Sequence, residues 1–155
     1  MVTGYHGGRD ARLIKLDDAG IFVWQKCFGG TLDDYFNKII DVGNNQFVVC
    51  GFTTSNDGDV SGKHNTNGTG SDAWAVKIDG VGTIIWQKCF SGTGRELFNS
   101  VLFNQNDQLV FYGSTSSNDF DVTGNHINTN GVYNNDLWIA VSDTFGKSIM
   151  FWWFS

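Results

Sequence analysis

The sequence predicts an all-β fold built of repeated four-stranded antiparallel sheets, and three observations carry this prediction. The stretch SNDGDVSGKH at 55–64 returns as SNDFDVTGNH at 117–126. The segments around the two stretches align at an offset of 62 residues, so the repeat extends over essentially the whole chain. Segments between Gly-rich and Asn-rich turns alternate apolar and polar residues as strands do, and no segment has the period of a helix.

Within one repeat the pattern predicts four short strands, separated by turns rich in Gly, Asn and Asp. The predicted strands are 35–42, 46–53, 73–79 and 83–90. The chain contains no proline, so glycine, asparagine and aspartate make its turns. In the third strand Trp74, Val76 and Ile78 share one face while Ala75 and Lys77 share the other, which predicts a strand with two unequal faces.

Composition limits the class of protein. The 155 residues are 41% hydrophobic, enough for a packed core in a single domain over 1–155. A net charge of −6 with only ten Lys and Arg predicts no nucleic-acid partner, because phosphate binding rewards clustered basic side chains. No apolar run approaches the ~20 residues that cross a membrane, so no membrane insertion is expected. The polar, Gly-rich first residues are not those of a signal peptide, so the chain as written is expected to carry no export signal.

Four antiparallel strands that recur about every 60 residues are typical of the blades of a β-propeller. We interpret 1–28 as an outer half-blade and 29–90 and 91–155 as two blades. A closed propeller has about four to eight blades, whereas this chain supplies about two and a half. A partial propeller is therefore expected. Either self-association into an oligomeric ring or the remainder of a longer propeller would complete it.

The order of motifs in the repeat resembles a known family. GGTLDDYFNKII, SNDGDVSG, DAWAVKID and WQKC follow one another as in bacterial SBBP-type β-propeller repeats, most closely those of surface and secreted proteins exported by the type IX secretion system. The resemblance covers nearly the whole chain and implies an extracellular or cell-surface location. It also implies a module that presents loops for adhesion or partner docking. A carbohydrate or a protein is the ligand expected for such a module.

Two segments depart from the family pattern. Arg95 and Glu96 replace the acidic pair Asp33 and Asp34, and the last strand, SIMFWWF, lacks the WQKC text. Adjacent residues at one strand end diverge, so Asp33 and Asp34 do not form a convincing acid and base for glycoside hydrolysis. The sequence therefore predicts no enzyme. The alternatives to a binding module are a structural spacer within a larger propeller and a multivalent lectin formed by oligomerisation.

The repeated loop also matches the start of a calcium-binding loop, in which alternate residues turn oxygens inward and a glycine makes the sharp turn. The candidate ligands are Asp57, Asp59, Ser61, Asn65, Asp119, Asp121 and Thr123. The glutamate that completes an EF-hand is missing, because Gly68 and Asn130 stand at its positions. The alternative is that these side chains cap their own backbone in Asx-turns. Calcium is the one cofactor that the sequence suggests.

Tryptophan, histidine and cysteine recur with the repeat. Most of the tryptophans are expected to pack between blades. Of the adjacent Trp152 and Trp153 one must face outward, where interblade or edge packing is expected over the alternative of an interface or a platform for a sugar. The histidines are expected to be hydrogen-bonding struts rather than zinc ligands. The cysteines are expected to be buried core residues. These two sets are His6, His64 and His126, and Cys27, Cys50 and Cys89.

Overall fold

The computed structural model describes residues 3–64, 70–126 and 135–154, with the backbone alone over 150–154. The described chain is all-β and has no helix; its ten strands pair antiparallel, and one isolated parallel bridge joins Thr3 to Lys26. The strands are β1 (Ala11–Leu16), β2 (Phe22–Phe28), β3 (Asp34–Asp41), β4 (Gln46–Thr53), β5 (Asp72–Asp79), β6 (Ile84–Phe90), β7 (Glu96–Phe103), β8 (Gln108–Thr115), β9 (Asp136–Asp143) and β10 (Ser148–Phe154).

The strands form three sheets in which neighbours along the chain are neighbours in the sheet. The first sheet contains β1 and β2, the second β3 to β6, and the third β7 to β10. The predicted strands of the repeat are confirmed within one residue at either end. The β3–β4 hairpin turns through Asn44 and Asn45, whose φ angles of 54° and 55° are the left-handed pair that a type I′ turn requires.

The sheets pack face to face, so the second sheet is buried on both sides. On β5, Trp74, Val76 and Ile78 belong to an apolar cluster shared with the first sheet. Ala73 and Ala75, on the opposite face of the same strand, belong to a cluster shared with the third sheet. The two faces of β5 are therefore unequal, as expected, and they differ in the size of their side chains. Large side chains point towards the first sheet, and small ones leave room for the third.

The third sheet fills that room with aromatic rings. Phe98 stacks on Phe111 with ring centroids 4.8 Å apart and on Trp138 at 5.3 Å, and all three are buried. Such aromatic contacts add to the burial of apolar area. Asn37 adds a polar link between the sheets: it lies at an irregularity in the β3–β4 register and donates from Nδ2 to the carbonyl of Phe98 at 2.8 Å.

A lysine and a tryptophan join the first sheet to the second. Lys15 and Trp24 are opposite each other in the β1–β2 pair and therefore point to the same face. Lys15 Nζ and Trp24 Nε1 both donate to the carbonyl oxygen of Gly80, at 2.8 Å and 3.2 Å. Gly80 lies in the turn between β5 and β6, so these two bonds fix the second sheet's hairpin on the first sheet. We call this arrangement the lysine–tryptophan clamp.

The same clamp joins the second sheet to the third. Lys77 and Trp86 are opposite each other in the β5–β6 pair, and both donate to the carbonyl of Thr144, at 3.3 Å and 3.0 Å. Thr144 lies in the turn between β9 and β10, the equivalent of Gly80 one repeat earlier. The same pair of side chains therefore bonds the equivalent turn of the next sheet in both interfaces.

An apolar groove of about 320 Å³ lies beside β1 and is lined by Leu13, Leu16, Ile39 and Phe47 among others. In the second sheet β4 pairs with β5, whereas among the described residues β1, the equivalent of β5, pairs along its length only with β2. The groove thus lies over β3 and β4, on the face that the short first sheet does not cover. Ile39 is 47% exposed there.

The three cysteines are free thiols in buried positions, as expected. Burial raises the pKa of Cys50 to about 12, so this thiol stays protonated at neutral pH. Among the described residues there is no helix long and apolar enough to cross a membrane.

We expect Trp86→Phe to lower the free energy of unfolding by about 1 to 2 kcal/mol, because it removes one hydrogen bond of the clamp and leaves part of the Thr144 carbonyl unsatisfied. Trp24→Phe removes the equivalent bond and should have a similar effect. Chemical denaturation of both variants would measure the change. Two variants as stable as the parent chain would mean that the clamp does not hold the sheets together.

Candidate functional site

The motif loop at 55–62 folds back onto the segment that precedes β3. Asp57 Oδ1 accepts the backbone N–H of Thr31 at 2.8 Å, and Asp59 Oδ2 accepts that of Gly29 at 3.3 Å. The backbone N–H of Asp59 donates in turn to the carbonyl of Gly29 at 2.8 Å. The hydrogen bond from Thr31 lowers the pKa of Asp57 below its ordinary value, so this carboxylate is charged at neutral pH.

The second copy of the loop repeats these contacts. Asp119 accepts the backbone N–H and the hydroxyl of Thr93, at 2.8 Å and 2.9 Å, and Asp121 accepts the backbone N–H of Ser91 at 3.3 Å. The carboxylates of both loops therefore cap the backbone of the preceding segment. These contacts are caps on an earlier segment of the chain rather than the Asx-turns on the loop's own backbone that the sequence suggested.

A buried carboxylate bonds the motif loop to the neighbouring strands. Asp34 is 1% exposed and accepts hydrogen bonds from the hydroxyls of Thr53 and Ser55 and from the backbone N–H of Gly30. A buried charge without such donors would be strongly unfavourable. The network connects the start of β3, the end of β4 and the loop that follows β4 into one unit.

Glu96 occupies the same position in the second copy. It is 1% exposed and accepts from Thr115 at 2.8 Å, Ser117 at 2.6 Å and the backbone N–H of Gly92 at 3.0 Å. Burial raises the pKa of Glu96. Glu96 departs from the family pattern but preserves the hydrogen-bond network. Sequence reasoning missed this network. The repeated Thr-x-Ser before each motif loop is the signal that could have indicated it.

Each histidine of the motif bonds an aspartate at the start of the next strand in the chain. The backbone N–H groups of the three histidines donate to carboxylates at 2.9 Å, 2.8 Å and 3.1 Å. The pairs are His6 with Asp10, His64 with Asp72, and His126 with Asp136. The ring of His64 also bonds Ser91 through Nδ1 at 2.9 Å. The ring of His126 bonds Asp136 through Nδ1 at 2.9 Å, whereas within the described residues Nδ1 of His6 has no hydrogen-bond partner. The predicted hydrogen-bonding strut is therefore seen for the rings of His64 and His126 and not for Nδ1 of His6.

Two equivalent clefts open between successive sheets beside these histidines. The first has a volume of about 410 Å³ and the second about 400 Å³. Both are lined by a small hydroxyl residue, a glycine, a histidine, a lysine, a cysteine and an aspartate from corresponding positions of the repeat. The lining residues that correspond are Thr3, Gly4, His6, Lys26, Cys27 and Asp59 in the first cleft and Ser61, Gly62, His64, Lys88, Cys89 and Asp121 in the second.

A third cleft, of about 430 Å³, lies between the second and third sheets and is lined by Arg95, Leu97, Ser71 and other residues. In the first interface the residues equivalent to Ser71 and Leu97 are Arg9 and Tyr35. Arg9 Nη1 donates to the hydroxyl of Tyr35 at 2.7 Å. The smaller Ser71 and Leu97 cannot make this contact, which accounts for the open space in the second interface.

The described residues include all the candidate calcium ligands except Asn65. Within the described ranges no group of three His, Cys, Asp or Glu side chains could hold a metal ion. Ser61 Oγ accepts a hydrogen bond from Gln87 at 2.6 Å, and Thr123 is exposed. Asn65 lies outside the described residues. Calcium binding therefore stays a prediction from the loop pattern.

The candidate binding residues Trp152 and Trp153 lie on β10, where their backbones are opposite Ile139 and Trp138 of β9. Their side chains lie outside the described part of the structure. The sugar platform predicted there stays a prediction. Of the other tryptophans, Trp74 and Trp138 are buried between sheets, as expected.

No protein-family model matches the chain, and no curated protein matches it either. The function is therefore inferred from the geometry of the chain itself.

We expect Asp57→Ala to lower the melting temperature by the same amount in buffer with calcium and in buffer with a chelator, because the lost contact is a hydrogen bond to Thr31. Asp18→Ala, at an exposed position in the β1–β2 turn, is the matched control and should change little. Differential scanning fluorimetry would measure both. A parent chain that melts lower in chelator, with Asp57→Ala insensitive to it, would instead favour a calcium site.

Proposed function

We propose that the chain is a non-catalytic β-propeller repeat module that presents its repeated loops to a ligand or protein partner. The observation that carries the proposal is the repetition of one interface. In both interfaces the lysine–tryptophan clamp bonds the equivalent turn of the next sheet, at Gly80 in the first interface and at Thr144 in the second. A clamp that recurs from one interface to the next supports a similar rotation between successive sheets. Such a rotation, repeated about one axis, would generate a propeller.

The loops suit a presenting role because their backbone is held rigidly. In each copy a buried carboxylate, Asp34 or Glu96, ties the loop to two strands, and the aspartates of the motif cap the segment beneath it. A loop ordered in advance loses less conformational entropy when it binds a partner. Several equivalent loops would also add avidity to weak single contacts.

The contacts of the acidic residues support a role other than catalysis. Asp34 is enclosed, with three donors around its carboxylate, so it cannot approach a substrate. Asp33 accepts the backbone N–H of Arg9 at 3.0 Å. Each carboxylate thus has a structural contact. We propose, in line with the resemblance to the exported SBBP-type repeats, that the module works at the cell surface or outside the cell.

The proposed propeller is incomplete within the chain, and its open surfaces are apolar. Ile14 of the first sheet is 57% exposed, and Leu137 of the third sheet is 47% exposed. Apolar faces of this kind mark interaction surfaces. The groove beside β1 supports the interpretation of the first sheet as an outer half-blade, because a full sheet would place two more strands there. Self-association or the remainder of a longer propeller would supply them.

The two outer faces do not match the internal interfaces. Val141 stands on β9 where Lys77 stands on β5, so the third sheet lacks the lysine of the clamp. On the first sheet Arg12 stands at the position of Trp74. A surface that covers either face would therefore need contacts different from those between the sheets of this chain.

We expect light scattering of the purified 17.1 kDa chain to give either a discrete multiple of that mass or aggregates. Ile39→Lys places a charge in the groove beside β1 and should shift the distribution towards the monomer. Val81→Lys, at a 62% exposed position in the β5–β6 turn, is the matched control and should leave the mass unchanged. A discrete oligomer would support a multivalent module, and aggregates a spacer from a larger propeller. A parent chain that is a monodisperse, cooperatively unfolding monomer would contradict the incomplete propeller.

A further inference from the structure

The second motif loop carries a bulky residue in a conformation that favours glycine. Phe120 has φ 53°, and the equivalent residue of the first loop is Gly58, with φ 64°. Left-handed backbone is unfavourable for side chains other than Gly, Asn and Asp, and for a bulky residue it is a genuine outlier. Phe120 is also 64% exposed, so burial in the core does not compensate for the strain. Strained residues of this kind concentrate at functional sites.

The ring of Phe120 contacts a residue that lines the second cleft. It stacks on the imidazole of His64, with ring centroids 4.5 Å apart and an angle of 11° between the planes. His64 and Asp121, the residue that follows Phe120, both line the cleft of about 400 Å³. Since the side chain remains largely exposed with His64 on one face, the rest of the ring is open to a ligand.

The cleft beside this ring offers both donors and acceptors. Lys88 Nζ donates to Ser148 Oγ at 2.6 Å and lies 4.6 Å from the centroid of the Phe90 ring, and these two contacts hold the ammonium in place. Asp121 Oδ2 accepts the N–H of Ser91 at 3.3 Å, which leaves its other oxygen. Ser91 bonds Nδ1 of His64, which leaves Nε2 for a ligand. These groups are fixed by the sheets before any ligand arrives, which favours binding.

The chemistry of the cleft points to one class of ligand. The lysine and the aspartate balance each other in charge, so neither an anion nor a cation is favoured. A hydroxyl group both donates and accepts hydrogen bonds, so it matches this mixture of donor and acceptor side chains. The C–H face of a pyranose ring packs on an aromatic ring. We propose that the cleft between the second and third sheets, with Phe120 as its stacking surface, binds a neutral monosaccharide or the terminal sugar of a glycan.

The first cleft lacks this combination and serves as an internal comparison. Gly58 provides no ring, and a Cβ built on it would come within 2.5 Å of the carbonyl of Gly29, so this loop does not accommodate a larger residue as it stands. His6 Nε2 lies 3.8 Å from Asp59, and Ile84 and Phe28 make the lining more apolar. The proposed sugar site is therefore confined to the second cleft, and it rests on the proposed function as a ligand-binding module.

Phe120→Gly tests the proposal because it restores the residue of the first loop and removes the backbone strain. The variant should fold with an equal or higher melting temperature. The probe is a panel of neutral methyl glycosides, titrated at millimolar concentration into the labelled chain and followed by amide chemical shifts. The parent chain should bind at least one member, with shifts at 61–64, 87–88 and 120–121. Phe120→Gly should bind about tenfold more weakly or not at all, as the loss of a stacking contact implies.

Phe145→Ala is the matched control, because Phe145 is likewise an exposed phenylalanine, 82% exposed, that lies in the β9–β10 turn rather than in the motif loop. It should bind as the parent chain does. Phe120→Asn, whose side chain also tolerates the left-handed conformation, is the second variant and should lose binding in the same way. No shift with any sugar of the panel, or binding that persists unchanged in both Phe120 variants, would overturn the proposal.

Light scattering of the same samples separates this proposal from the proposed function. Sugar binding by a monomer that unfolds cooperatively would support the cleft while contradicting the incomplete propeller. A discrete oligomer that binds no sugar would overturn the proposed sugar site and leave the proposed propeller unaffected.

Discussion

Burial of both faces of a four-stranded sheet is the constraint on which the rest of the structure depends. A sheet with apolar residues on both faces requires a neighbour on each side. The second sheet meets this requirement with Trp74 on one face and Ala75 on the other, so its two neighbours differ in what they supply. Hydrophobic packing has little directional preference. The lysine–tryptophan clamp adds direction, because its two hydrogen bonds fix which turn of the next sheet lies over β5 and β6.

The loops depend on the stack in turn. The second motif loop caps the start of β7 in the same repeat, and its Phe120 lies on His64, which precedes β5 in the second sheet. A contact between residues of adjacent repeats exists only while the sheets are stacked. The proposed sugar site therefore belongs to the interface rather than to one repeat, and a change that separates the sheets would also remove the site.

Much of the fold could be predicted from the sequence because its determinants are local. Alternation of Trp74, Val76 and Ile78 with smaller residues identifies β5, and the Gly-Asn-Asn turn identifies the β3–β4 hairpin. The contacts of the candidate site could be predicted less well from the sequence. Asp57 and Asp59 have the spacing of calcium ligands, but which partner their oxygens bond is decided by the segment at 29–31, which lies well before them in the chain. Glu96 was interpreted as a departure from the repeat, whereas its longer side chain accepts from three donors at the positions equivalent to those around Asp34. Phe120 was visible as a substitution for glycine, but its strain and its contact with His64 appear only in three dimensions.

The open edge of β1 offers the most direct test of the stacked, incomplete array. Hydrogen exchange followed by mass spectrometry can compare β1 with β5, its equivalent in the second sheet, over a range of protein concentrations. Because β5 is paired on both sides and β1 on one, amides of β1 should exchange much faster than those of β5 wherever the chain is a monomer. If copies of the chain complete the first sheet, the protection of β1 should rise with concentration while that of β5 stays constant. Equal protection of β1 and β5 in the monomer would contradict an unfilled position beside the first sheet.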